Sequence, residues 1–277
     1  MSNQSHQLSA SATNVNGSAL SVFSPEWSEG MRWFFDVNGY LLIENVLTPE
    51  EIERYKAAAD RVIYEAGRSQ VMGLIEADRA FTELMDHPII FPIAIALLGP
   101  HIQVFGSTLI SNRRESKFVQ DWHQDGPVTT KYRDLAYPTP LVQLRFAYFL
   151  TDCPDTSHGG LSIIPGSHKA RTPMPDGIYE MPGVTVPILG KAGSVFTFHN
   201  ALWHGGMPNR TDSPRITAHI MYSPIWLRPV KNHRYRKDFK RGLTPVRRLL
   251  LGDNDDPTDV YRATPYGYDE DGSIRSG

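Results

Sequence analysis

The sequence predicts a mainly β protein, a double-stranded β-helix (jelly roll) with flanking helices packed on one sheet. Three observations carry this. From residue 103 onward the apolar residues recur at every second position in short runs. Clusters of Gly, Pro, Asn and Asp separate those runs, as turns between strands require. The helical patterns come first in the chain, which suits helices laid over one side of a two-sheet core. A length of 277 residues gives room for one such domain.

Residues 1–22 are rich in Ser, Asn, Gln and Ala without an apolar period, and read as a disordered N-terminal arm. Residues 39–46 form a short apolar strand candidate interrupted by Glu44 and Asn45. Thr48-Pro49-Glu50-Glu51 then opens a helix: Thr48 and Glu51 have capping-box spacing, and Pro49 is tolerated at the first helical position. Ile52, Tyr55, Ala59 and Val62 mark its buried face. A second helical region spans 78–98, with a break at His87-Pro88. Strands follow at 104–110, 142–150, 161–164, 185–189, 194–198 and 216–222. Two irregular stretches, 113–122 and 131–140, are candidate lids. The segment 231–248 is basic, with Asp238 as its one acidic residue, and reads as a solvated face. The jelly-roll domain is thus expected over 23–250, with a polar acidic tail over 251–277.

Composition excludes several classes. The chain is 40% hydrophobic and 21% charged with a formal net charge of −2, so it lacks the basic excess of a general nucleic-acid binder. Cys153 is the only cysteine, which forbids an intrachain disulfide and fits a reducing, cytoplasmic setting. The longest apolar run, 88–98, contains Pro92 and is too short to span a bilayer. No nucleic-acid or membrane partner is expected.

The chemistry is concentrated in His123-Gln124-Asp125, His204 and Arg215. On an extended strand His123 and Asp125 point to the same side, so both can reach one metal. A distant His completes a 2-His-1-carboxylate set, which leaves half of an octahedral ion open. Arg215, eleven residues beyond His204, opens a strand whose alternation puts Arg215, Thr217 and His219 on one side and Ile216, Ala218 and Ile220 on the other. A guanidinium aimed into a cavity calls for an anion. Competing readings are a surface turn at Asp125-Gly126-Pro127, and His158, His168, His199 or His219 as the third ligand. A zinc hydrolase or lyase could use the same ligand set, although no H-E-x-x-H helix is present. A non-catalytic jelly-roll binding domain has no use for it.

The order of these residues resembles the phytanoyl-CoA dioxygenase family of iron(II)/2-oxoglutarate oxygenases. The resemblance is carried by the H-x-D triplet, the turn from His158-Gly159-Gly160 to Pro165-Gly166-Ser167-His168, His204 with Asn209 behind it, and Arg215, and it extends to residues 35–51. It covers about 33–222. It implies iron(II) held by His123, Asp125 and His204, with 2-oxoglutarate and O2 as co-substrates giving succinate and CO2. It further implies Arg215 on the distal carboxylate of 2-oxoglutarate, Gln143 beside that co-substrate, and hydroxylation of a small organic metabolite. Desaturation, epoxidation or cyclisation would use the same site. Related halogenases replace the metal carboxylate with a small residue; retention of Asp125 points away from halogenation. The chain departs from some members at Asp121 and Leu161, where they carry a Gln and a Thr. Asp121 would repel a dicarboxylate and is expected to point outward. Trp122, Tyr132, Tyr137 and Trp203 flank the presumed site and are candidates for an apolar substrate pocket.

Overall fold

The structure, a computed structural model, describes residues 11–15, 18–114, 121–125, 138–172, 174–227, 229, 235 and 237–253. Most of both candidate lids, Tyr132 and Tyr137, much of the basic stretch and the tail from 254 onward lie outside these residues.

Strands β1 (Ser11–Val15), β2 (Ser18–Phe23), β3 (Tyr40–Ile43), β4 (Gln70–Met72), β5 (Ile102–Asn112), β6 (Leu144–Phe149), β9 (Val195–His199) and β11 (Arg215–Pro224) form one sheet in the order β1-β2-β3-β9-β6-β11-β5-β4. Strands β7 (Leu161–Ile163), β8 (Val186–Ile188) and β10 (His204–Gly206) form a second, ordered β10-β7-β8. All pairings are antiparallel except β2 with β3.

Alternation along the strands divides the core in two. Leu41, Ile43, Phe146, Tyr148, Ile216, Ala218 and Ile220 pack with the helices on one face of the large sheet. Tyr40, Leu42, Ala147, Phe149, Phe196 and Phe198 face the other way, onto Ile163, Val186 and Ile188 of the small sheet. The large sheet therefore lies between a helical layer and the small sheet, and the polar stripe Arg215-Thr217-His219 is buried on the small-sheet side.

The helices begin where the sequence supplies caps. Helix α1 (Glu29–Asn38) starts at Ser28, whose hydroxyl accepts from Met31 N at 3.2 Å. Helix α2 (Pro49–Ala66) has the expected capping box: Glu51 N donates to Thr48 Oγ1 at 3.2 Å, and Thr48 N donates to Glu51 Oε2 at 2.9 Å. A one-turn helix, α3 (Leu74–Ala77), follows β4. The helical region expected over 78–98 is split as His87-Pro88 predicts, but its first half, Arg79–Asp86, is a 3-10 helix; only α4 (Ile90–Leu98) is α-helical. Near the end come α5 (Lys237–Lys240) and α6 (Pro245–Leu250).

Both ends differ from expectation. Residues 11–15 and 18–22, read as part of a disordered arm, lie in the β1-β2 hairpin, with Leu20 and Val22 buried in the second cluster. Ladder hydrogen bonds and two inward apolar residues are enough to recruit a segment of low strand propensity. Leu251, assigned to the tail, is buried with Leu250 against the main core.

Gly39 ends α1 at φ +80°, and a Cβ there would lie 2.5 Å from His168 Nδ1. Both the left-handed backbone and the crowding oppose any side chain. Gly39→Ala is expected to cost about 1–3 kcal/mol, read as a lower urea midpoint at unchanged slope.

Candidate metal and co-substrate site

The segment 121–125 is fastened to the small-sheet side by its backbone. His123 N donates to His204 O at 2.9 Å and His204 N to His123 O at 3.0 Å, while Asp125 N donates to Asn200 O at 2.9 Å. This puts the two imidazoles side by side, with ring centroids 4.3 Å apart. One ligand atom from each of His123, Asp125 and His204 falls within 4.8 Å of the others. The triplet and the distant histidine thus converge on one point, as their types and spacing anticipated.

The tautomers suit metal binding. His123 Nδ1 donates to Asp121 O at 2.7 Å, and His204 Nδ1 donates to Leu202 O at 2.9 Å. A carbonyl only accepts, so each Nδ1 keeps the proton and each Nε2 presents a lone pair. Burial pushes the His204 pKa down to about 4 despite the neighbouring Asp125 carboxylate, so the ring is neutral at physiological pH. Two imidazoles and a carboxylate are a donor set that ferrous iron accepts.

Arg215, Arg145, His204, His219, Phe198, Ile110, Leu161 and Gly206 enclose a cavity beside this cluster. Arg215 is buried, with Nε donating to Gly159 O at 2.9 Å and Nη1 to Thr217 Oγ1 at 3.1 Å. Among the described residues it has no carboxylate partner, and desolvation lowers its pKa to about 10. The Cys153 thiol, whose charge would act on Arg215, is pushed up to about 11 by burial and stays neutral. A buried guanidinium without a counter-ion is costly unless a ligand supplies the charge.

The other candidates fall into place around it. Gln143 is buried just before β6, but its amide turns to Met221 Sδ at 3.6 Å and it does not line the cavity. The cavity position belongs to Arg145, two residues further on, whose Nη2 donates to Asp125 Oδ1 at 3.0 Å. Sequence reading passed over Arg145, although its alternation with Leu144 and Phe146 placed it beside Gln143. Asp121 is exposed, as expected. Asn209 is a staple: its Nδ2 donates to Asn112 O and Ser213 O, both at 2.8 Å. His158 pairs with Asp155 at 3.0 Å, and His168 packs against His199 with centroids 4.9 Å apart, so neither joins the metal cluster. Trp122 stacks on Tyr179 at 5.6 Å next to His123.

A 2-His-1-carboxylate cluster between two sheets, with an uncompensated guanidinium in the adjoining cavity, is the arrangement of non-haem iron oxygenases. The family model for phytanoyl-CoA dioxygenase (PhyH) matches residues 35–217, and the chain belongs to that family. Ectoine dioxygenase of Nocardia farcinica is 26% identical over 233 residues, covering 69% of this chain and 76% of that protein. Among solved structures, HygX of Streptomyces hygroscopicus with nickel and 2-oxoglutarate bound superposes with a TM-score of 0.63 at 17% identity, covering 73% of this chain and 89% of its own. The 2-oxoglutarate-dependent carbocyclase SnoK of nogalamycin biosynthesis superposes with a TM-score of 0.59 at 24% identity, covering 72% and 84%. At these identities the two structures establish a shared fold.

Proposed function

We propose that this chain is an iron(II)/2-oxoglutarate-dependent dioxygenase that hydroxylates a small organic metabolite, built on a double-stranded β-helix. The convergence of the His123, Asp125 and His204 donor atoms within 4.8 Å carries the reading. The two Nε2 atoms and the Asp125 carboxylate would hold one face of iron(II). Arg215 would take the distal carboxylate of 2-oxoglutarate as a fork-shaped, charge-assisted pair. When bound, iron(II), 2-oxoglutarate and O2 supply the oxidising chemistry, with succinate and CO2 as by-products. The protein's own share is to fix the Nδ1–H tautomer of both imidazoles through their backbone hydrogen bonds, to bury His204 and Asp125, and to steady Asp125 through Arg145. The Trp122–Tyr179 stack offers an aromatic surface for an organic substrate beside the metal position. The single buried thiol of Cys153 accords with a cytoplasmic setting.

Anaerobic addition of iron(II) and 2-oxoglutarate to the purified protein is expected to give the weak visible charge-transfer band of the chelate. His123→Ala and His204→Ala should each abolish it. A wild-type protein that binds zinc tightly and shows no spectral response to 2-oxoglutarate would replace this reading with a hydrolytic zinc site.

A further inference from the structure

Two guanidinium groups, those of Arg145 and Arg215, line the cavity beside the candidate metal cluster. Arg145 uses Nη2 on Asp125 Oδ1, and its guanidinium lies over the Phe198 ring at 5.9 Å, yet its buried Nε has no partner among the described residues. His219 presents a second orphan. Thr217 Oγ1 accepts from Arg215 Nη1 and shares a further hydrogen bond with His219 Nε2 at 2.8 Å. His219 Nδ1 is buried and without a partner among the described residues. Desolvation, reinforced by Arg145 and Arg215, keeps His219 well below the usual histidine range and hence neutral. Arg215 is the second guanidinium of the cavity, and Asp125 is the one carboxylate paired with either guanidinium among the described residues. A buried donor without an acceptor is costly, and a cavity that joins the orphan Arg145 Nε to two guanidinium charges fits an acceptor-rich anion.

The donors are ordered. Along β11, Arg215 comes first and His219 four residues later; Arg145 on β6 pairs with Met221, two residues beyond His219. Arg145 also touches Asp125, so it marks the metal end of the cavity, and Arg215 marks the far end.

Resting on the functional reading above, we propose that Arg145 is a second anchor for the 2-oxo acid, receiving the carboxylate next to the oxo group while Arg215 receives the distal one. One guanidinium then serves two carboxylates at the metal end: Nη2 steadies Asp125 and Nε meets the co-substrate. The site recognises both ends of a 2-oxo dicarboxylate by cations, the buried Arg215 and the half-buried Arg145.

Calorimetric titration of the protein at saturating Co(II) tests this with two ligands, 2-oxoglutarate and 2-oxopentanoate, which lacks the distal carboxylate. Arg145→Met should raise both dissociation constants by the same factor, about tenfold or more. Arg215→Met should raise that of 2-oxoglutarate alone. Arg145→Lys should recover part of the loss, since it keeps the charge and most of the stem. Unchanged affinity for both ligands in Arg145→Met overturns the proposal. So does a loss confined to 2-oxoglutarate, which would place Arg145 at the distal end, or a loss of Co(II) affinity with normal ligand binding once metal is saturating, which would confine Arg145 to holding Asp125. A wild-type protein that fails to bind 2-oxoglutarate overturns this proposal together with the functional reading, whereas wild-type binding that Arg145→Met leaves intact overturns this proposal alone.

Discussion

Arg215→Ala should weaken 2-oxoglutarate binding by about 100-fold or more while leaving the affinity for Co(II) or Mn(II) near that of wild type. The guanidinium is buried, held by Gly159 O and Thr217 Oγ1, and faces no carboxylate among the described residues. A ligand carboxylate entering there forms a desolvated, hydrogen-bonded charge pair, and truncating one member of such a pair costs about 2–5 kcal/mol. Metal binding is spared because the proposed metal donors are His123, Asp125 and His204, none of which Arg215 touches. The same argument predicts an effect of opposite sign on the ligand-free protein. Its uncompensated buried cation strains the fold, so Arg215→Met, which fills similar space without charge, should melt no lower than wild type when 2-oxoglutarate is absent. Calorimetry and thermal unfolding with and without 2-oxoglutarate separate these outcomes. Equal co-substrate affinity in wild type and Arg215→Ala would remove Arg215 from the site.

That prediction began as a pattern in the sequence, because β11 announces itself. Ile216, Ala218 and Ile220 alternate with Arg215, Thr217 and His219, and a polar stripe within an apolar strand has few uses other than lining a site. The H-x-D triplet was legible for a similar reason: two of the three metal donors are neighbours on one short segment. Arg145 was not, because its role depends on β6 lying between β9 and β11 and on segment 121–125 folding over them, which are long-range pairings that periodicity does not encode. Periodicity put Gln143 and Arg145 on one face and could not choose between them; the choice was made by the contacts of Asp125 and Met221. Helix α1 was missed although Ser28 and Gly39 cap it, since Trp33, Phe34, Phe35 and Val37 favour strand over helix when judged locally. The 3-10 helix at Arg79–Asp86 was read as α-helix because periods of 3.0 and 3.6 hardly diverge over so few residues.

The protein should also lose stability as pH falls below about 6.5, and most of the histidines responsible lie outside the candidate metal cluster. His87, His168, His199 and His219 are all buried, and burial lowers the pKa of each, that of His199 to about 3. The sign follows from linkage. Above the unfolded-state value near 6.5 each ring is neutral in both states and stability is at its plateau. Below that value the unfolded chain binds protons that the folded chain refuses, so the folded state loses ground until pH reaches the depressed native pKa. Each such histidine contributes up to about 1.4 kcal/mol per pH unit where the folded and unfolded forms differ by a full proton, a sizeable share of a typical stability of about 5–15 kcal/mol. The exposed Asp155 carboxylate is lowered to about 2 by hydrogen bonds from Ser157 and His158, so its own loss falls at much lower pH. His199 is the residue to change. Its Nδ1 accepts from Ala201 N at 3.0 Å, and Asn at this position keeps an acceptor there without a titrating ring. Urea unfolding from pH 7.5 to 4.5 should show His199→Asn losing stability with a slope shallower by about one proton than wild type. An unchanged slope would mean that the acid sensitivity comes from other groups and that His199 is not kept neutral by its burial beneath α1.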